Sequence, residues 1–372
     1  MTIMHDLSAA AGVQAYLETS QFASSTVTPL TGGTGNFAFR LHLLRPYNGK
    51  STAVVKHARP YVATAASIPL AIERQAFEAK ALEKVKEGLN CGPKATVPSV
   101  YHLDEEAHIL IMEDCGENSI NLKSLLVSAP PSVTIAQDIG RALGQFLGRL
   151  HSWGTNEPAM LDFFDQNEQA KEITAWVTYG RILPTLTSGN VPAVAFLPEP
   201  VPESDLDDIR AIIAERTAEI NTSRAALTMG DFWTGNVMVN LTKDAITGET
   251  SFENLYVIDW ELAKTGVAAL DVGQFCAEAL TVTLFKPDAV EASKALIEAF
   301  LTEYRAHCGV MAPHMANTAA KHMGAHLVAI TSGARWGTPE ETAKAIEVGL
   351  EHLMEGCSDR WVRERSVLSP LM

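Results

Sequence analysis

Cysteine is scarce in this 372-residue chain, and no purely apolar run approaches the roughly 18–20 residues that a membrane-crossing helix requires. The five cysteines, Cys91, Cys115, Cys276, Cys308 and Cys357, are odd in number, widely spaced and never arranged as CxxC. That excludes a disulfide frame and a cysteine-ligated zinc site, and predicts reduced, mostly buried thiols. Basic residues are also in the minority, 29 Lys+Arg against 44 Asp+Glu, for a net charge of −15. A nucleic acid would be repelled by that field, since its binding depends on cationic side chains neutralising phosphates. The opening MTIMHDLSAAAG has no basic start followed by a long apolar segment. A soluble, cytoplasmic protein is therefore expected, with no membrane partner. What is abundant is apolar material, 47 % of residues, enough for two or three folded units or one large two-lobed enzyme at about 150 residues per domain.

Residues 6–22 carry Leu7, Val13, Tyr16 and Leu17 at helical spacing, which predicts a short opening helix. Two apolar runs, FAFRLHLL (37–44) and STAVVKHA (51–58), are joined by RPYNGK, whose Asn-Gly signals an antiparallel hairpin. An amphipathic helix is predicted over 72–86, followed by strands at 97–104 and 108–114 and a hinge-like CGENS. The first 115 residues thus read β-β-α-β-β. Beyond them the 3.6-residue period dominates at 133–151, 203–221, 291–308 and 313–331, with two short strands between Leu227 and Ile258. The Pro-rich piece 191–202 reads as an ordered connector.

Four sites fall in the order that phosphoryl transfer requires. Thr31-Gly-Gly-Thr-Gly-Asn36 precedes a strand, and its glycines would let backbone N–H groups approach phosphate oxygens. It matches neither GxxxxGK[ST] nor GxGxxG, which disfavours a P-loop or a dinucleotide fold. Lys56 lies inside an apolar strand and must send its ammonium to an acceptor. Glu78, mid-helix, could pair with it; Glu73, five residues earlier, points at a different angle and is the competitor. In LTMGDFWTGNVMVN (227–240), Asp231 and Asn236 stand five residues apart in a loop, the layout of a hydroxyl-orienting Asp followed by a magnesium-binding Asn. VIDWE (257–261) then puts Asp259 at the end of a strand, where a second carboxylate can bind the metal, with Glu261 two residues on.

LTMGDFWTGNVMV with YVIDWELAKTGVAALDVGQF resembles the aminoglycoside phosphotransferase/choline kinase-like superfamily, a small-molecule branch of the protein-kinase fold. LTGGTGNFAFRL, VVKHARP, the IER…E helix, GRLH and RWGTPEE extend the resemblance over about residues 28–340. It is similar to 5-methylthioribose kinase and to the fungal 4-hydroxytryptamine kinase group.

The resemblance implies a bilobal α+β fold: an N-terminal nucleotide-binding lobe over 1–114, an antiparallel sheet plus one helix, then a mainly helical catalytic lobe over 115–372. It implies transfer from Mg2+-bound ATP to a small-molecule hydroxyl, with Asp231 as base. Asn236, Asp259 and Glu261 would be metal ligands. Lys56, Glu78, Gly32, Gly33 and Asn36 would serve the phosphates, and the main chain at Glu113–Cys115 the adenine.

The superfamily usually reads HGD where this chain has Met229, a departure that admits a second reading, a catalytically weak pseudokinase that only binds nucleotide. Against a protein acceptor, the dozen residues between Asp259 and Asp271 are too few for an activation segment. Asp271 and His151 are expected to support the catalytic loop. Trp233 could stack on a substrate ring or anchor the core. Arg335-Trp336-Gly337 could close over the acceptor or form a surface turn, and the acidic stretch 203–219 reads as a solvated helix face.

Overall fold

The computed structural model describes residues 5–89, 92, 94–312 and 314–372, and divides into two compact units, 1–88 with 97–119, and 89–96 with 120–372. The first unit opens with α1 (Ala10–Leu17) and a five-stranded sheet in the order β1-β2-β3-β8-β7, all neighbours antiparallel. Its strands are β1 (Ser24–Pro29), β2 (Phe37–Tyr47), β3 (Lys50–His57), β7 (Val100–Asp104) and β8 (Ile109–Glu113). The small pair β4 (Tyr61–Val62) and β5 (Ala65–Pro69) precedes α2 (Arg74–Gly88). Asn48 and Gly49 at the β2–β3 turn have φ of 47° and 78°, the double left-handed turn whose twist suits a two-residue hairpin.

One face of the sheet is apolar. Val27, Phe39, Leu41, Ala53, Val55, Ile109 and Ile111 bury themselves against Val13 and Leu17 of α1. β1 goes beyond the four-stranded expectation: SSTVTP has only Ser24 and Val27 facing inward, an interval of three caused by a bulge between Ser24 and Thr26, so no alternation announces it. The opening helix is likewise shorter than 6–22, and α2 starts and stops two residues later than expected.

In the second unit, β6 (Ala95–Thr96), β9 (Ile120–Asn121), β11 (Val237–Lys243) and β12 (Thr250–Val257) form one sheet, while β10 (Ala226–Thr228) pairs with β13 (Lys264–Gly266). Helices make up the rest: α3 (Leu122–Ser128), α4 (Val133–Thr155), α5 (Pro158–Phe164), α6 (Glu168–Thr174), α7 (Ile182–Thr187), α8 (Glu203–Thr222), α9 (Ala268–Phe285), α10 (Val290–His307), α11 (Met315–Ala329), α12 (Pro339–Glu355) and α13 (Asp359–Arg365). The α-helix expected from 313 begins at Met315, and Pro313 is outside the described residues. The connector at 191–202 contains a 3-10 turn, Pro192–Phe196.

α4 and α10 pack closely because α4 presents Gly140, Gly144 and Gly148 four residues apart, and a Cβ at each would strike the carbonyls of Leu296, Phe300 and Tyr304. Among the described residues only α9 has the length and hydropathy to cross a membrane. Two-thirds of it is buried within the protein, and it carries Asp271, Gln274 and Glu278. Of the described cysteines, Cys276 and Cys308 are buried, Cys115 is half-buried and Cys357 is exposed, so the expectation of mostly buried thiols fails at Cys357; Cys91 lies outside the described residues.

Candidate active site

In the first unit the sheet carries Lys56 on β3, and its Nζ lies 2.5 Å from Glu78 Oε1 on α2. Glu78 is 1 % exposed, whereas Glu73 is exposed and precedes the helix, which decides between the two partners considered from sequence. Arg74, at the start of α2 and buried, reaches the glycine loop: its Nη2 donates to Gly35 O at 3.0 Å and to Asn36 Oδ1 at 2.9 Å. Gly32 has φ +109°, a value few other residues adopt, while Gly33 has ordinary φ and open space around its Cα.

Glu113 closes β8 with its carboxylate accepting from Ser99 N (3.2 Å) and Ser99 Oγ (3.0 Å), with Lys50 and Lys86 each 3.6 Å away. Its N–H donates to Ser99 O, and the Cys115 carbonyl accepts from Ser119 Oγ at 2.7 Å. Burial, with the Asp114 and Glu113 charges beside it, raises the Cys115 thiol above its ordinary value, so it stays protonated.

In the second unit, the loop after β10 carries Asp231 and a short 3-10 turn ends at Asn236. Asp231 Oδ1 accepts from Gln274 Nε2 (2.7 Å) and Oδ2 from Asn236 Nδ2 (2.9 Å). Burial, reinforced by the Asp259 carboxylate, pushes Asp231 up to about 6 against the lowering effect of those two donors. Asp259 lies two residues past β12 with φ +69°, a left-handed conformation that Asp tolerates better than most side chains. Ile258 N donates to Asn236 O at 2.9 Å, which ties the two segments together. Glu261 is half-buried, and its carbonyl accepts from Asn167 Nδ2 at 3.2 Å.

Beneath the loop lies Asp271 of α9, fully buried. It accepts from the backbone N–H groups of Met229 (2.8 Å) and Gly230 (3.0 Å) and from His151 Nε2 (3.1 Å), while His151 Nδ1 meets Tyr304 Oη at 2.9 Å. Burial alone would raise this carboxyl, but the His151 hydrogen bond, Lys264 and the loop amides hold it below its ordinary value. Met229, where a His was expected, is fully buried and contributes packing plus that one amide. Asp271 and His151 thus support the loop, as the sequence suggested.

Two participants were missed. Gln274 sits one turn along α9 from Asp271, a polar residue in an otherwise apolar run; with Asp271 placed, that i, i+3 spacing was a usable signal. Lys264 on β13 is 3 % exposed, and burial lowers its ammonium to about 8. A side chain at Gly230, whose φ is +80°, would strike Lys264 Nζ, so glycine is needed there on both counts.

The donor set suits a hard divalent cation. Asn236 spends its amide nitrogen on Asp231, which leaves the side-chain oxygen as a donor, and Asp259 adds a carboxylate. Magnesium takes such oxygens, one or two carboxylates at a time, and completes its shell with waters and phosphates.

The chain is similar to several known proteins. The 4-hydroxytryptamine kinase of Psilocybe cyanescens is 28 % identical over 362 residues, 95 % of this chain and 94 % of that one. The methylthioribose kinase of Bacillus thuringiensis is 26 % identical over 265 residues, 69 % of this chain and 60 % of that one. Choline kinase LicA from Streptococcus pneumoniae aligns structurally with a TM-score of 0.47 at 13 % identity, covering 92 % of this chain and 97 % of that one. The sequence model that describes a phosphotransferase enzyme family matches residues 26–310. With more than two-thirds of its length matched, the chain belongs to the phosphotransferase enzyme family.

Proposed function

We propose that this phosphotransferase-family chain moves the γ-phosphoryl group of ATP, with magnesium, to a hydroxyl of a small molecule, and that Asp231 is the catalytic base. The observation that carries the reading is the carboxylate of Asp231, gripped on one oxygen by Gln274 and on the other by Asn236 and pushed up to about 6. Such a group is held in one orientation and, near neutrality, accepts a hydroxyl proton more readily than an ordinary carboxylate.

Lys56, fixed by Glu78, supplies a positive charge for the nucleotide's phosphates. Gly32 and Gly33 bring backbone amides to them; Asn36, tethered by Arg74, sets the end of that loop. The main chain at Glu113–Cys115 receives the base. Asn236 and Asp259 hold magnesium through oxygen, with Glu261 as a secondary ligand. When bound, the cation supplies charge neutralisation across the phosphates. Asp231 orients the acceptor hydroxyl and takes its proton on a carboxylate oxygen as the new O–P bond forms and the bond from the γ-phosphorus to the β,γ-bridging oxygen breaks, with ADP as the leaving group.

The pseudokinase alternative rests on Met229 and the unusual glycine loop, and the retention of Lys56, Asp231, Asn236 and Asp259 together counts against it. The Asp271 hold on the Met229 and Gly230 amides is made to the main chain and does not depend on the side chain at 229.

The acceptor panel takes hydroxytryptamines and thio-sugars from the relatives' names, then choline-like alcohols and aminoglycosides from the superfamily that the sequence resembles. Magnesium-dependent ADP release is measured for wild type and Asp231→Ala. One class of acceptor should stimulate release, with at least about a 100-fold loss in the variant, the low end of what a general base supplies. Equal background hydrolysis in the two proteins, with no stimulation by any acceptor, rejects the reading.

A further inference from the structure

Two residues beyond Asp231, the half-buried Trp233 shares a lysine with a second indole. Lys123, the second residue of α3, places its ammonium 4.8 Å from the Trp233 ring centroid and 4.6 Å from that of Trp336. The same ammonium lies 3.4 Å from Glu278 Oε2 on α9. Each wall of this arrangement is itself supported. Trp336 stacks on Phe285 at 5.9 Å, and Gly235 lies flat against the Trp233 ring, where any side chain would collide with it. The second carboxylate oxygen of Glu278 accepts from His326 Nε2 at 2.9 Å, and His326 is 2 % exposed.

Two π faces and a buried carboxylate around one point are what an organic ammonium ion needs for recognition. Here the chain supplies the ammonium itself. A tethered cation competes at an effective concentration in the millimolar range, so a free cation must exceed that to enter.

We propose that Trp233, Trp336 and Glu278 form an organic-cation site that Lys123 fills in cis, making Lys123 the specificity residue that bars quaternary ammonium groups from the side of the loop next to Asp231. That this side faces the acceptor rests on the kinase reading above; the cation site itself does not. An acceptor that carries an amine must then seat it away from the two indoles. Shortening Lys123 opens the site to a tetraalkylammonium ion, which has no N–H to give Glu278 and binds through the aromatic faces and charge.

The test is calorimetric titration of tetramethylammonium chloride, matched against sodium chloride, into wild type, Lys123→Ala, Lys123→Arg and Lys123→Ala/Trp336→Ala. Lys123→Ala should bind at least about tenfold tighter than wild type and Lys123→Arg, and the double variant should lose the gain. Lys123→Gln, which keeps most of the apolar stem, replaces Lys123→Ala if the latter does not melt like wild type. Wild type binding as tightly as Lys123→Ala, or a folded Lys123→Ala that binds no tetramethylammonium, overturns the proposal. Binding is read without turnover, so a chain that binds the cation yet releases no ADP with any acceptor counts against the kinase reading and leaves this site standing.

Discussion

Lys56 in the first unit meets an opposite charge, Glu78, at 2.5 Å, whereas Asp231 in the second has a like charge, Asp259, for a neighbour and is held by the amides of Gln274 and Asn236. The first arrangement satisfies both groups by their mutual attraction, so the role proposed for Lys56 and the stability of the pair pull the same way. The second keeps a carboxylate where burial and Asp259 both oppose its charge. Neutral donors orient it without cancelling that opposition, and the group stays easily protonated at a cost to the fold. An ionisable side chain can thus be anchored by strength in one unit and by restrained discomfort in the other.

The largest expected contrast is at Asp231 itself. Asp231→Asn should lower acceptor-dependent ADP release by at least about 100-fold while leaving the melting temperature unchanged or higher, since the disfavoured charge is gone. A variant that loses stability along with activity breaks the comparison.

Lys56→Met should do the reverse to the fold, costing about 3 kcal/mol in urea titration because Glu78 keeps its charge at 1 % exposure. Lys56→Met/Glu78→Leu should recover most of that loss, and a double variant no better than the single would show that the pair does not act as a unit.

Asp271→Asn removes the charge from the hydrogen bonds to Met229 N, Gly230 N and His151, and should cost about 2 kcal/mol by the same titration.

The last effect is in pH. Asp231 is raised from 3.8 to about 6, so between those values the folded chain binds more protons than the unfolded one. The contribution of this group to stability is therefore fully present below about pH 4 and is lost as the pH rises through 6. Urea midpoints for wild type against Asp231→Asn over that window should differ in slope in this sense, and parallel curves would mean that the folded carboxyl is not raised.

Much of this was legible in the chain because chemistry that depends on spacing leaves a local trace. GDFWTGN, VIDWE and the lysine of AVVKHA could be read directly, and helical angle separated Glu73 from Glu78 as alternatives that packing then decided. The rest depends on long-range partners. Gln274 reaches Asp231 across 43 residues, and Lys264 comes under Gly230 only because β13 pairs with β10. β1 was hidden by its bulge. Trp233 was open between substrate stacking and core anchoring, and Lys123, 110 residues earlier in the chain, is a partner that no local pattern announces. The surface-turn reading of Arg335-Trp336-Gly337 holds for the exposed Arg335 and Gly337 but not for Trp336, which folds onto Phe285 and Lys123.

The three glycines of α4 give the second unit an index. Each lies against one carbonyl of α10, those of Leu296, Phe300 and Tyr304, so the two helices can mesh only in steps of four residues. Tyr304 is also the residue that meets His151, and His151 the one that meets Asp271 under the Met229–Gly230 backbone. The height of the Asp231 loop is therefore gauged from three missing side chains a helix away. A single residue inserted between Gly148 and His151 would leave GDFWTGN and VIDWE intact and still put the imidazole out of line with the carboxylate it steadies.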